Sequence, residues 1–155
     1  MTKSKTLPYA TFQISLKTLV ADKAGRVLIL KARQDGSMPN YFDLPGGRIN
    51  KTETTTPIVK LVTRELKEEL GGKVRLTLDE VPVAIGRHVY FSKSLSRNQD
   101  VMWILFKAYY RGGKIKISDE HEGYRWVKIN KSNSNIYFTK GALRVIKNYL
   151  SHKLS

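Results

Sequence analysis

Three glutamates lie close together in the segment RELKEELGG, which spans residues 64–72. In a helix, Glu65, Glu68 and Glu69 are related as i, i+3 and i+4 and share one flank. Like charges at that spacing oppose helix formation by roughly a few tenths of a kcal/mol per pair. A bound cation offsets this repulsion, and carboxylate oxygens without a neighbouring His or Cys favour Mg²⁺, Mn²⁺ or Ca²⁺. The alternative is a solvated helix face whose carboxylates are neutralised by the two basic residues of the same segment.

A short glycine-containing segment, LPGG at residues 44–47, precedes the glutamates. Because glycine has no Cβ, Gly46 and Gly47 let the backbone approach a metal ion or a phosphate closely. The same glycines would also serve a tight turn without any ligand. We call residues 44–47 the glycine turn, and Glu53 lies between this turn and the glutamates.

The segment SDEHEGYRWV, residues 118–127, carries a second group of acidic side chains around His121. We call residues 118–122 the acidic loop. Its carboxylates are those of Asp119, Glu120 and Glu122. Seven of the 13 acidic residues lie in this loop, among the three glutamates or at Glu53, which on a chain of net charge +15 favours a functional site. A histidine suits the role of general base, although an exposed histidine beside acids would show the same pattern.

Alternating apolar and polar residues bounded by turn residues predict several strands around these segments. The predicted strands are residues 9–20, 26–32, 81–91, 100–110 and 124–129. Residues 22–25 predict a hairpin turn, and the serine-rich and charged residues 92–99 predict a connection between two strands. This pattern predicts a mixed α/β domain with antiparallel hairpins.

Residues 57–70 are predicted to form the helix that carries the three glutamates. Thr56 is its predicted N-cap and Pro57 its first residue, because a proline disfavours the helical conformation in the residue before it. The apolar stripe expected to pack on a sheet consists of Val59, Val62, Leu66 and Leu70. The two glycines that follow predict the end of this helix. A second amphipathic helix is predicted over residues 139–150.

Composition limits the class of protein. A chain of 155 residues suits one domain, residues 1–155, with residues 1–6 expected to be a flexible tail. The absence of cysteine excludes disulfides and thiolate metal sites. There is no apolar signal-peptide core at the N-terminus, and the longest apolar run, residues 101–106, is too short to span a bilayer. We therefore expect a soluble, cytoplasmic protein without a membrane partner.

The charge balance is strongly basic, with 28 Lys and Arg residues against 13 Asp and Glu residues. Such a field attracts polyanions such as nucleotides or nucleic acid, while an equally simple explanation is solubility through self-repulsion. RNA is thus a possible partner. The sequence leaves the oligomeric state open between monomer and homodimer.

The motifs together resemble the Nudix box, the signature of the Nudix hydrolases. The family pattern G-x5-E-x7-R-E-U-x-E-E-x-G-U, with U a bulky apolar residue, is matched at Gly47, Glu53, Arg64, Glu65, Leu66, Glu68, Glu69 and Gly71. Gly72 departs from the final apolar position. Ten residues separate Glu53 from Arg64 where the family has seven. We expect most of this insertion in the loop 53–56, which would keep the register from Arg64 to Glu69 and leaves open whether Glu53 reaches Arg64.

The resemblance implies a Nudix-type α/β/α sandwich with a mixed β-sheet, with the box helix and the C-terminal helix on opposite faces. It implies a hydrolase that cleaves a pyrophosphate bond in a nucleoside diphosphate linked to another moiety, with Mg²⁺ as cofactor and Mn²⁺ as a possible substitute. In the family the glutamates of this segment bind the metal, with help from a carbonyl of the glycine turn. Carried over, the metal ligands are Glu65, Glu68, Glu69 and Gly47 (or Gly46), with Glu68 also catalytic. In the family, the glutamate and arginine that match Glu53 and Arg64 form a structural ion pair.

The acidic loop resembles two kinds of Nudix loop. In many members an acidic loop before a Trp-containing strand supplies a further metal ligand or the general base, which implies Glu122 or Glu120 here. The loop is also similar to the His-x-x-Tyr-Arg-Trp loop of GDP-mannose-type members, where the histidine is the base, and His121 matches that position. The alternative function is therefore a nucleotide-sugar hydrolase.

Candidates for substrate contact are less specific. The arginines that could contact phosphates are Arg33, Arg48, Arg87 and Arg97, and the rings that could stack on a base are Tyr9, Phe12 and Tyr41. Each could equally be a surface charge or a packed ring. The remaining alternative is a nucleotide- or RNA-binding module that uses the fold without catalysis.

Overall fold

A mixed β-sheet flanked by helices forms the protein in the computed structural model, which describes residues 8–36 and 38–152. The predicted tail, residues 1–6, lies outside the described residues. The strands are β1 (Gln13–Ala21), β2 (Val27–Ala32), β3 (Phe42–Asp43), β4 (Gly46–Arg48), β5 (Arg75–Ser92), β6 (Arg97–Gly112) and β7 (His121–Val127). The helices are α1 (Ile58–Leu70), α2 (Ser134–Tyr137) and α3 (Lys140–Leu150). None of the helices described is long and apolar enough to cross a membrane.

The sheet has the strand order β3-β2-β1-β6-β5, with β4 also paired to β1 and β7 to β2. The pairing of β1 with β6 is parallel, and the other pairings are antiparallel. In the pairing of β4 with β1, Gly46 lies opposite Lys17 and Gly47 opposite Leu16. The sheet therefore holds the glycine turn against the middle of β1.

Both faces of the sheet are apolar because the strands send successive side chains to opposite sides. On one face, Leu16 and Val20 of β1 pack in the cluster that contains the buried side of α1. On the other face, Leu19 and Ala21 pack in the cluster that contains the buried side of α3. The predicted sandwich, with the two long helices on opposite faces, is confirmed.

The start of α1 differs from the prediction. Pro57, not Thr56, is the N-cap, and its carbonyl accepts hydrogen bonds from Lys60 N at 3.0 Å and Leu61 N at 3.3 Å. The ψ angle of Pro57 is 131°, so the helical conformation begins one residue later, at Ile58. The buried stripe accordingly includes Leu61, whereas the predicted Val59 is only half-buried.

Several strand ends also differ from prediction. β5 begins at Arg75 rather than residue 81, and its pairing with β6 shifts register between Asp79 and Ala84, around Pro82. Proline cannot donate to a β-ladder, which is why the sequence pattern breaks there although the strand continues. β7 begins at His121 because it pairs with Ala32 of β2, a long-range contact that local sequence does not show.

Candidate active site

Glu69 is the carboxylate that the fold buries, with only 5% of its surface exposed. Its Oε2 accepts a hydrogen bond of 2.7 Å from the backbone N–H of Gly46, so α1 meets the glycine turn at this point. Burial raises the pKa of Glu69 to about 7, because the charged form loses its water. The charge of Lys17 and the Gly46 hydrogen bond oppose this rise in pKa, and the charges of Asp43 and Glu120 add to it.

Glu65 lies against the second glycine of the turn. A Cβ added at Gly47 would come within 2.5 Å of Glu65 Oε2. Gly46 is needed for a different reason: its φ is +140°, and a Cβ there would overlap the carbonyl oxygen of Leu16 in β1. Gly47 thus leaves room for the Glu65 carboxylate, while Gly46 lets the turn lie close to β1 and binds Glu69 through its N–H.

Arg64 organises the remaining acidic groups of the box. Its Nη1 pairs with Glu53 Oε1, its Nη2 donates to Glu65 Oε1 at 2.9 Å, and its Nε lies 3.6 Å from Glu68 Oε1. The other oxygen of Glu53 accepts from Asn50 N at 3.0 Å, and these contacts hold the pKa of Glu53 below its usual value. The insertion therefore does not prevent the Glu53–Arg64 ion pair, since the chain between Glu53 and α1 is a loop.

Glu68 differs from its two neighbours, because its side chain is 60% exposed. Across residues 8–36 and 38–152, no three acidic or histidine side chains are grouped closely enough to hold a metal ion. The structure thus brings Glu65 and Glu69 to the glycine turn and leaves Glu68 on the adjacent solvent-facing flank.

Lys17 lies beneath the glycine turn and was not expected from the sequence. Its ammonium contacts Asp43 Oδ2 at 2.8 Å, the Leu44 carbonyl at 3.2 Å and the Gly46 carbonyl at 3.3 Å. An alternating strand pattern places a lysine on the solvated face, so periodicity gave no sign of this role. The signal that the sequence does offer is that Lys17 is the single charged residue of residues 13–21.

The acidic loop packs against the C-terminal end of α1. Lys116 N donates to the Leu70 carbonyl at 2.9 Å, and Ser118 N donates to the Glu69 carbonyl at 3.2 Å. His121 at the start of β7 is half-buried, and its Nδ1 is buried without a hydrogen-bond partner among the described residues. Burial lowers the pKa of His121, which favours the neutral imidazole that a base requires.

Glu122 is directed toward the β2 side of the loop. Its Oε1 accepts from Gln34 N at 3.0 Å, and its Oε2 lies 3.7 Å from Lys31 Nζ. By contrast, the charge of Glu120 raises the pKa of Glu69. Within the acidic loop, Glu120 therefore acts electrostatically on Glu69, whereas the charges that act on His121 are those of Asp43, Lys17 and Glu120.

Comparison with known proteins shows which family this chain belongs to. The family model described as NUDIX domain matches residues 11–149. The chain belongs to the Nudix family. No curated protein matches the sequence.

Solved structures agree with this assignment. The Nudix domain is similar to the MutT protein from Methanosarcina mazei Go1, with a TM-score of 0.61 and 25% identity over 90% of this chain and 91% of that chain. An ADP-ribose pyrophosphatase from Streptococcus suis has a TM-score of 0.58 and 15% identity, covering 92% and 89% of the two chains. A C. elegans Ap4A hydrolase has a TM-score of 0.57 and 21% identity, covering 90% and 98%. The family assignment confirms the predicted class of enzyme, a Nudix pyrophosphohydrolase.

A cavity of about 800 Å³ adjoins the glycine turn of this Nudix domain through Arg48. It runs along β5 to the start of α3, and its aromatic lining consists of Tyr90, Phe91 and Trp103. The guanidinium of Arg48 stacks on the Tyr90 ring at 4.7 Å, and its Nη1 donates to Tyr90 Oη at 2.7 Å. The sequence suggested Arg48 but missed these three rings, because strand residues with aromatic side chains are usually core.

The other suggested substrate contacts lie outside this cavity. Arg33 pairs with Asp35 and donates to the Asp119 carbonyl at 3.2 Å, which places it beside the acidic loop. Arg87 and Arg97 are exposed. Tyr9 is almost fully exposed, whereas Phe12 and Tyr41 are half-buried.

The cavity carries more positive than negative charge. Its basic residues are Arg48, His88, Lys93 and Lys140, and Asp35 is its acidic residue. Asp35 already pairs with Arg33, whereas the ion pairs of the described residues include neither Arg48 nor the two lysines. Burial and the charges of Lys140 and Arg144 lower the pKa of His88, which indicates a locally positive environment. Such a cavity suits an anionic ligand with an aromatic group.

Proposed function

We propose that this protein is a Mg²⁺-dependent hydrolase that cleaves a pyrophosphate bond in a nucleoside diphosphate linked to another moiety. The observation that carries the proposal is the pair of carboxylates on the glycine turn. Glu69 is buried on the Gly46 N–H, and Glu65 packs on Gly47. The charge of Lys17 acts on Glu69 but does not offset its burial, because the pKa of Glu69 is still raised to about 7. A buried carboxylate is costly, and a divalent cation would supply the remaining positive charge.

The donor set fits Mg²⁺, with Mn²⁺ as a substitute. The available ligands are carboxylates and a backbone carbonyl, which are the hard oxygen donors that these ions prefer. Glu65 and Glu69 would hold the ion with a carbonyl of Gly46 or Gly47, and the exposed Glu68 would join them by turning its side chain toward the glycine turn. When bound, the ion would neutralise the diphosphate and lower the pKa of an attacking water.

The chain's own groups would position the substrate and accept a proton. Arg64 fixes Glu65 through a hydrogen bond of 2.9 Å, so that this carboxylate keeps its place on the turn. His121, Glu68 and the acidic-loop residues Glu120 and Glu122 are the candidates for the general base. His121 is favoured by its lowered pKa and by its buried Nδ1, which no donor or acceptor in the described part of the chain contacts. The charged, ring-lined cavity would take the nucleotide, with Arg48 contacting a phosphate.

The test is metal-dependent turnover of variants in the box. Glu69→Gln and Glu68→Gln should each lower kcat by at least about 100-fold with Mg²⁺, the usual cost of losing an electrostatic group at a reacting centre. Glu80→Gln on β5 is the matched control, because Glu80 is an exposed glutamate outside the site. Wild-type rates in both box variants would refute the proposal.

A nucleotide-sugar hydrolase with His121 as base is the second candidate, and the buried, unpaired Nδ1 of His121 favours it. Products separate the two reactions. Cleavage within the diphosphate gives a nucleoside monophosphate, whereas cleavage at the sugar gives a nucleoside diphosphate and free sugar. His121→Ala should abolish the second reaction.

RNA binding without catalysis is the remaining alternative, favoured by the unpaired basic residues of the cavity and the net charge of +15. It requires salt-dependent RNA binding with no Mg²⁺-dependent hydrolysis of any nucleotide. Hydrolysis that is lost in Glu69→Gln would exclude it.

A further inference from the structure

Lys17 is a buried cation at the centre of the site. Only 7% of its surface is exposed, and its ammonium lies among three oxygens, those of the Asp43 carboxylate and of the Leu44 and Gly46 carbonyls. The ammonium also lies 5.3 Å from the centre of the Trp103 ring, which lines the charged cavity. Lys17 therefore occupies the space between the glycine turn and the cavity.

The oxygens around Lys17 are of the kinds that bind divalent cations in proteins. One carboxylate and two backbone carbonyls are the donors that Mg²⁺ and Mn²⁺ accept. The Gly46 peptide links this set to the glutamates, because its N–H donates to Glu69 and its carbonyl accepts from Lys17. A lysine placed here supplies one positive charge at a fixed position beside Glu69.

Stability alone is a weak reason for this arrangement. A buried ion pair often contributes no more to stability than apolar residues of similar volume, because both charges lose their water. Around Lys17, β1 buries the apolar Leu16 and Leu19 and the polar Ser15 and Thr18, and none of these side chains carries a charge. The oxygen-rich surroundings and the contact with the glycine turn point instead to a role in the site.

We propose that the Lys17 ammonium is a resident cation of the active site, which holds a position that a divalent ion would otherwise occupy. Asp43 and the carbonyls of Leu44 and Gly46 form this position. The inference bears on the proposed function, because a protein with this lysine needs one metal ion fewer to balance its carboxylates. It can be tested without turnover, because the divalent ions bound to the protein can be counted directly.

The experiment is a Mn²⁺ titration of the full-length protein followed by electron paramagnetic resonance, which reports free and bound Mn²⁺. Lys17→Met removes the ammonium and leaves the Asp43 carboxylate. This variant should bind one Mn²⁺ more per chain than wild type, with the total affinity raised about tenfold by the loss of a nearby positive charge. Lys17→Met/Asp43→Asn removes the carboxylate as well and should lose the additional ion. Lys23→Met, an exposed lysine of the β1–β2 turn, controls for net charge.

A wild-type Mn²⁺ stoichiometry in Lys17→Met would overturn the inference. If that variant does not fold by circular dichroism, Lys17→Ser replaces it, because its small uncharged side chain leaves the Asp43 carboxylate and the two carbonyls free for an ion, and the same gain of one ion is expected. The double variant provides a further folded comparison, since it leaves no unpaired buried charge. Failure of the proposed function has a different signature: wild type would bind no Mn²⁺, or bind it without hydrolysis, whatever happens at Lys17.

Discussion

At the scale of single residues, burial determines what each glutamate can do. Glu65, Glu68 and Glu69 are equivalent letters of one motif, yet one is buried, one packs on a glycine and one is exposed. The sequence predicts that they share a helix flank, because that follows from their spacing. It does not predict which of them loses its water, because this depends on how the glycine turn and the acidic loop close over the helix.

Glu69 should make the stability of the metal-free protein depend on pH. Its pKa of about 7 in the folded state is above its ordinary value of 4.5. The folded protein therefore binds more protons than the unfolded chain between these values, and the free energy of unfolding should fall as pH rises from about 4.5 through 7. The full effect is about 3 kcal/mol. Urea unfolding in EDTA at several pH values measures it.

Glu69→Gln is the matched variant for this effect, because glutamine does not titrate. Its stability should vary less over the same pH range than that of wild type. Equal pH dependence in the two proteins would show that Glu69 titrates normally. Added Mg²⁺ should also reduce the dependence in wild type, because the ion favours the ionised carboxylate.

At the scale of elements, the glycine turn makes the site, because it joins β1, β4 and α1. This turn can be predicted from the sequence, because two adjacent glycines before the helix indicate close backbone approach. The insertion after Glu53 shows what the sequence does not predict. The sequence leaves open whether Glu53 reaches Arg64, and in the structure the ion pair forms because the inserted residues lie in the loop before Ile58. Lys17 shows the same limit, because its burial follows from the pairing of β4 with β1 and not from the sequence of β1.

The two glycines of the turn should respond differently to alanine. Gly46→Ala places a Cβ on the backbone oxygen of Leu16 at a φ of +140°, and should lower the free energy of unfolding by about 3 kcal/mol. Gly47→Ala meets only the end of the Glu65 side chain, which can move, so its stability cost should be below about 1 kcal/mol. Gly47→Ala should instead weaken Mn²⁺ binding, since it displaces a ligand. Denaturation and metal titration of both variants measure this contrast, and equal destabilisation would contradict it.

At the scale of the whole molecule, part of the basic charge lies around a cavity, whose lining includes Arg48, Lys93 and Lys140. The sequence predicts the excess of lysine and arginine but not their location, because the cavity is built from β5, β6 and the start of α3. Its aromatic and basic lining residues come from positions far apart in the chain. Arg48 is the candidate phosphate contact from the sequence that does line the cavity.

Lys140 at the start of α3 should contribute to nucleotide affinity. Lys140→Met should raise KM for a nucleotide substrate about tenfold at low salt, with kcat changed less, because its charge attracts the substrate without taking part in the reaction. The salt dependence of KM should also become weaker. Lys147→Met is the control on the same helix, because Lys147 is exposed and does not line the cavity. Equal effects of the two variants would indicate a general effect of net charge.

The most direct test of the central claim is anomalous diffraction from a crystal soaked in Mn²⁺. The account predicts an anomalous peak within bonding distance of the carboxylates of Glu65 and Glu69, beside the glycine turn. A crystal at saturating Mn²⁺ with no peak there, or with its only peak elsewhere on the protein, would contradict it.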